Sequence, residues 1–253
     1  MSEPINPEFT AIGVISTSLR ILKEKISFFG KLIAAYVILG ALPTLILYNG
    51  VDFTNPAEIM EIVLKGNPFY IVLNLFYYVA YTLYLIFIID RTDAYLNGYS
   101  FDDYPYLSRG IKTILPVIGI YFIYTILSVL GFILLIVPGL IVVAGLYVAI
   151  PAKLSENISI LAALQRSWTL TKGHRLTIWG VILIPLIPIL IITYIGMFSM
   201  LGDLRETGDI SVMLSPAYLI INTAFNAVIT TFFIIAMTVC YHQIKYENLD
   251  VPE

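Results

Sequence analysis

From Thr113 to Ala152 the chain runs for forty residues without an Asp, Glu, Lys, Arg or His, and Val137-Pro138-Gly139 interrupts the run near its middle. A hydrocarbon core of about 30 Å is crossed by roughly 20 apolar helical residues, so the run is too long for one pass and suits two passes in a close hairpin. Pro138 and Gly139 are read as the structural turn between them. The solvent of this chain is therefore a membrane.

Composition agrees. Apolar residues make up 59% of the chain and charged residues 12%, against about a quarter charged in soluble domains, and mean hydropathy is +0.89. A net charge of -3 gives no reason to expect a nucleic-acid partner, and the single Cys240 cannot form an internal disulfide. The acidic start Met1-Ser2-Glu3-Pro4 is not followed directly by an apolar core, so a cleaved leader is not expected.

Six apolar spans are expected: Phe29 to Tyr48, Phe69 to Ile89, Ile114 to Ile136, Gly139 to Ala152, Leu176 to Leu201 and Ala217 to Tyr241. The fourth is short. At 1.5 Å per residue it covers only about 21 Å, so it either continues past a snorkelling Lys153 or dips into the bilayer without crossing. Alternating the loops puts Arg20, Lys23, Lys25, Lys31, Arg91, Arg109, Lys112, Lys153, Arg166, Lys172, Arg175 and Lys245 on one side and only Lys65 and Arg205 on the other. By the positive-inside rule both termini are then cytoplasmic, and the outer loops are Asn49 to Pro68 and Gly202 to Pro216.

Phe9, Ile12, Ile15, Leu19, Leu22 and Ile26 recur every three or four residues with Arg20, Lys23 and Glu24 on other faces, the pattern of an amphipathic interfacial helix. Similar segments precede spans three and five. Phe101 to Thr113 carries Arg109 and Lys112, and Ser155 to Lys172 places Ile158, Leu161, Gln165 and Trp168 on one stripe, with Ser155 as cap, Glu156 at its positive end and Gly173 as its stop. Three copies of a surface helix plus hairpin are one reading of this order, with slight support from Leu19-Arg20, Ser108-Arg109 and Gln165-Arg166. The domain layout is a single integral membrane domain over 1–253: a tail and surface helix (1–28), six spans (29–241) and a cytoplasmic tail (242–253).

Pro138-Gly139, Pro151, Glu156, Ala163-Leu164, Arg166-Ser167, Leu170-Thr171 and Lys172-Gly173 form a pattern that resembles uncharacterised prokaryotic six-span membrane families. These families include the membrane domain fused to some glycerophosphodiester phosphodiesterases. The resemblance is specific from Val137 to Trp179 and topological elsewhere. It implies an all-α helical bundle in a prokaryotic cytoplasmic membrane and no catalytic residues, since the phosphodiesterase chemistry of those relatives belongs to a separate soluble domain.

Candidate functional residues fall into two groups. Arg109, Lys112, Arg166, Lys172, His174 and Arg175 stand just cytoplasmic of spans three and five, where they either bind anionic lipid headgroups or serve as ordinary topological anchors. Tyr70, Tyr77, Tyr81 and Tyr84 share one face of span two, while Asn222, Asn226 and Thr230 repeat along span six. A polar group facing lipid is unfavourable, so each stripe is expected to face a helix, a cavity or a partner protein. Pro43, Pro116, Pro185 and Pro188 are candidate helix bends.

Charged groups are scarce within the spans, Asp90, Lys31 and His242 standing only at their edges, which argues against a proton-coupled pump. No phosphate loop, HExxH, CxxC or GxSxG motif is present. Asp102-Asp103 reads as a solvated helix start, Glu156 stands near His174 in sequence, and His242 after Cys240 reads as interfacial. The function expected from sequence is non-enzymatic: a membrane scaffold or accessory factor, without metal or cofactor, that engages membrane lipids or another membrane protein. Tyr121, Phe122 and Tyr124 offer a contact face. A passive channel or small-solute exporter lined by the Asn stripe, or a regulatory module for a lipid hydrolase, are the alternatives.

Overall fold

The computed structural model describes residues 9–47, 68–99, 106–207 and 216–247. Over these the protein is an all-α multi-pass membrane protein with no strand among the described residues. In chain order its helices are α1 (Ala11–Glu24), α2 (Ile26–Leu47), α3 (Pro68–Leu96), α4 (Tyr106–Leu134), α5 (Ile136–Gly145), α6 (Ala149–Glu156), α7 (Ile160–Leu170), α8 (Arg175–Thr207) and α9 (Pro216–Glu247).

Among the described residues, Asn74–Leu96, Ile111–Leu134, Ile136–Glu156, Arg175–Phe198 and Tyr218–Glu247 are long and apolar enough to cross a membrane. Ile26–Ala41 is a shorter apolar stretch where the first span is expected. Pro116 lies inside α4, and Pro185 and Pro188 inside α8. These helices continue through their prolines. α8 also runs on to Thr207, so Gly202 to Thr207 is helical where an outer loop is expected. Asp102, Asp103, the segment 49–67 and the side chains of Tyr70 and Arg109 lie outside the described residues.

The chain divides into two compact units. The first comprises Met1–Phe29, Thr82–Ile184 and Thr231–Glu253, and the second Gly30–Tyr81 and Pro185–Thr230.

In the first unit the long apolar run doubles back at Leu135, not at Pro138-Gly139. Leu135 is extended (φ −168°, ψ 158°), and α5 begins directly after it. Pro138 therefore occupies the first turn of α5, where a helix leaves its N–H groups without intrahelical partners and proline loses nothing. Gly139 has a different role. A Cβ built on Gly131 would stand 2.9 Å from the Gly139 Cα, so the two backbones meet where no side chain fits between them.

The fourth span is corrected as well. It starts at Ile136, breaks over Leu146 to Val148, and resumes as α6 to Glu156. Lys153 is buried at 9% exposure instead of snorkelling. Asn157 then takes the left-handed conformation (φ 49°), and Ser159, not Ser155, caps α7 by accepting from the Ala162 N–H at 3.3 Å. Glu156 thus ends one helix and does not begin another. Gly173 (φ +93°) sits in the turn from α7 to α8, as its expected stop role requires.

The apolar stripes of α1 and α7 are largely exposed, which is compatible with helices lying at an interface, and a different face of each packs on protein. α1 buries Val14, Thr17, Ser18 and Ile21, and α7 buries Ala163, Leu164, Ser167 and Leu170. Several of the larger apolar residues in the sequence stripes stand outside, with Ile12 at 74%, Leu161 at 73% and Trp168 at 41% exposure, while Phe9 is buried. Small and hydroxyl side chains permit close helix packing in a membrane, where apolar bulk gains nothing by leaving lipid. The segment before span three is different. Tyr106 to Thr113 is the start of α4 itself, so a separate surface helix is absent there among the described residues.

In the second unit α2 and α3 meet at Tyr36, whose hydroxyl is hydrogen-bonded to that of Tyr77 and whose ring lies 6.1 Å from that of Tyr81. A Cβ on Gly40 would come within 3.1 Å of the Tyr77 ring and 3.3 Å of the Thr223 side chain.

Candidate functional site

The densest polar constellation lies in the first unit, where α6 ends. Glu156 Oε1 accepts from Arg166 Nε at 3.1 Å and from the Tyr241 hydroxyl at 2.8 Å, and pairs with Lys245 Nζ at 3.8 Å. Lys245 Nζ also donates to the Tyr241 oxygen at 3.3 Å. One carboxylate oxygen thus ties α6, α7 and α9 together. A carboxylate at a helix C-terminus is disfavoured by the helix dipole, and two cations and a phenol offset that here.

The break after α5 is secured next to it. The freed Gly145 carbonyl accepts from Ser167 Oγ at 2.9 Å and shares the Thr171 hydroxyl proton, Oγ1 being 3.1 Å away, with the Ser167 carbonyl at 2.9 Å. The Trp168 ring covers Gly145 so closely that a Cβ there would fall 2.6 Å from it. Trp179 Nε1 donates to the Leu140 carbonyl at 3.3 Å, fastening α8 to α5.

These contacts give structural work to much of the pattern from Val137 to Trp179. Glu156 and Arg166 form the ion pair, Ser167 and Thr171 satisfy the broken helix, and Ala163, Leu164 and Leu170 are the buried face of α7.

The basic set separates accordingly. Arg166 gives its Nε to Glu156 while 40% of its side chain remains exposed. Lys112 and Lys172 are exposed. The Arg175 guanidinium stacks 4.3 Å above the Trp168 ring, a cation–π contact beside the exposed Leu161, Lys172 and Leu176. His174 packs edge-on against Phe9 at 5.3 Å. A second cluster lies where α1 meets α2: Tyr95 donates to Glu24, Lys25 lies 5.6 Å over the Tyr95 ring, and Arg91 lies 5.2 Å over the Phe28 ring.

The tyrosine stripe faces protein. Tyr77 and Tyr81 meet Tyr36, and Tyr84, in the first unit, is buried and bonded to Thr231. The asparagine stripe does not. Asn222 and Asn226 are exposed and bonded to each other, with Thr230 only partly covered. Tyr121 and Tyr124 are partly covered and Phe122 is 66% exposed. His242 is buried with its ring 4.5 Å from Tyr246, and Cys240 is buried too.

Sequence reasoning missed Tyr241 as a functional partner. Its spacing of four from Lys245 is the only local signal, because Glu156 is distant in the chain. Among the described residues no three His, Cys, Asp or Glu side chains gather as metal ligands would. Comparisons with protein-family models, with curated proteins and with solved structures each found no match.

Proposed function

We propose that this is a non-enzymatic accessory protein of a prokaryotic cytoplasmic membrane, which engages anionic lipid headgroups at its cytoplasmic face. The observation that carries the reading is the patch on α7 and the start of α8. Arg175 lies over a partly exposed Trp168, with exposed Lys172, Leu161 and Leu176 on the same short stretch of α7 and the start of α8. An indole with cations beside it and apolar side chains around it matches the boundary between headgroups and acyl chains. The single-sided charge of the loops supplies the orientation, with both termini in the cytoplasm.

The relation to membrane domains of glycerophosphodiester phosphodiesterases belongs to the same proposal, since the resembling segment includes this patch. Glu156 supports a non-catalytic role. Its contacted oxygen is occupied by three partners, which suits a clamp better than a general base. The exposure and mutual bonding of Asn222 and Asn226 favour this reading over a solute path.

The test replaces Lys172 and Arg175 by Gln, leaves Arg166 in place, and measures co-purifying lipid by mass spectrometry after gentle extraction. At about 1 kcal/mol per basic side chain, anionic lipid retention is expected to fall about thirtyfold with expression unchanged. Unchanged lipid content would remove the reading.

A further inference from the structure

Asn222 and Asn226 lie one turn apart on α9, within the second unit, and both are exposed, with the exposed apolar Phe225 and Ile221 along one edge of their face. Asn226 Nδ2 donates to the Asn222 backbone carbonyl at 2.8 Å and to Asn222 Oδ1 at 3.0 Å. These bonds leave the Asn222 amide NH2 and the Asn226 amide carbonyl without partners among the described residues. Both groups belong to a candidate span, Tyr218–Glu247. A bilayer core has no water to satisfy them.

The leftover groups are one donor and one acceptor, a turn apart on the same face. That arrangement is self-complementary. Copies inserted in the same sense are related by a two-fold axis along the membrane normal, which sets α9 beside a parallel α9. The Asn222 donor of each copy then stands about 6 Å along the axis from the Asn226 acceptor of the other, an offset that two amide side chains span at a helix crossing. An unrelated helix needs a matching pair at the same spacing. A second copy brings it by symmetry, and Phe225 and Ile221 add apolar contact at the edge.

We propose that this face of α9 binds a second copy of the chain through two reciprocal Asn222 to Asn226 hydrogen bonds. The test follows the full-length protein in lipid vesicles by single-molecule photobleaching over a range of protein densities. Two-step bleaching is expected to rise with density for the native chain. Asn222→Leu with Asn226→Leu is expected to need about tenfold higher density, each interhelical hydrogen bond being worth a factor of about three.

A second measurement does not depend on removing the asparagines. Phe225→Cys, beside them, is expected to cross-link to itself under mild oxidation. Ile220→Cys, about 160° around the helix from Asn222, is expected not to. The native Cys240 is buried and stays silent. Single-step bleaching of the native chain at every density, equal cross-linking at both positions, or capture of a different protein by Phe225→Cys in native membranes would each overturn the proposal.

Discussion

Glu156 and Tyr241 stand 85 residues apart in the chain and meet through a 2.8 Å hydrogen bond from the phenol to the carboxylate. The ion pair with Arg166 shares the same oxygen, but its side chains are 19% and 40% exposed, so solvent screens part of its strength. Glu156→Gln keeps an acceptor for Tyr241 and is expected to cost about 1 kcal/mol. Glu156→Ala leaves the phenol and Arg166 without that partner and is expected to cost about 2 to 3 kcal/mol. Unfolding in mild detergent measures both. A double-mutant cycle of Glu156→Ala with Tyr241→Phe should return a coupling of about 1.5 kcal/mol, and zero coupling would show that the bond contributes nothing.

The Gly145 carbonyl has two donors, Ser167 and Thr171. Either can satisfy it alone. Ser167→Ala and Thr171→Ala are each expected to cost under about 1 kcal/mol, whereas the double variant leaves a buried carbonyl unpaired and should cost more than their sum by about 1 kcal/mol. Strict additivity of the three unfolding midpoints would contradict this redundancy.

Gly131 and Gly139 touch, yet their substitutions should differ. A Cβ on Gly131 meets backbone atoms of Gly139, which cannot move without opening the hairpin. A Cβ on Gly139 meets the Phe132 ring at 2.5 Å, but that ring is 45% exposed and can swing outward. Gly131→Ala is therefore expected to destabilise by about 1 to 3 kcal/mol and Gly139→Ala by clearly less. The reverse order in a thermal unfolding series would show that the hairpin closes through Phe132 and not through backbone contact.

The apolar runs made the all-α membrane architecture legible, because hydropathy and length are local quantities. Helix faces were harder to read. In α1 the stripe of Ile12 and Leu19 is exposed, where an interfacial helix would hold it, and the face that packs on protein is its neighbour, Val14, Thr17, Ser18 and Ile21, which no run of large apolar residues marks. In water the larger apolar residues turn inward, whereas against lipid either face is tolerated and shape decides. Pro138-Gly139 misled for a related reason. The pair is usually turn punctuation, yet proline is equally at home in the first turn of a helix. The Glu156 network depends on residues brought together only by the fold, which no spacing rule reveals.

The hairpin tip yields the last prediction. From Val129 to Leu146 there is no polar side chain, and Ile133, Leu134, Leu135, Ile136 and Val137 are all exposed. Such a tip is unfavourable in water. Its backbone is tied across the turn, where the Leu135 N–H donates to the Gly131 carbonyl at 3.1 Å and the Gly139 N–H to the Leu135 carbonyl at 3.3 Å. Paired backbone groups and apolar side chains both favour lipid. Ile111–Leu134 is long enough, at about 36 Å, to carry the tip to the far side of the hydrocarbon, where its exposed apolar side chains favour a place below the headgroups with the helix tilted. Leu135→Cys should therefore resist a membrane-impermeant maleimide applied from either side of the bilayer and react only after detergent is added. Cysteine at Lys172 is the accessible control. Rapid labelling of Leu135→Cys in intact membranes would place the tip in water and require some other surface to cover it.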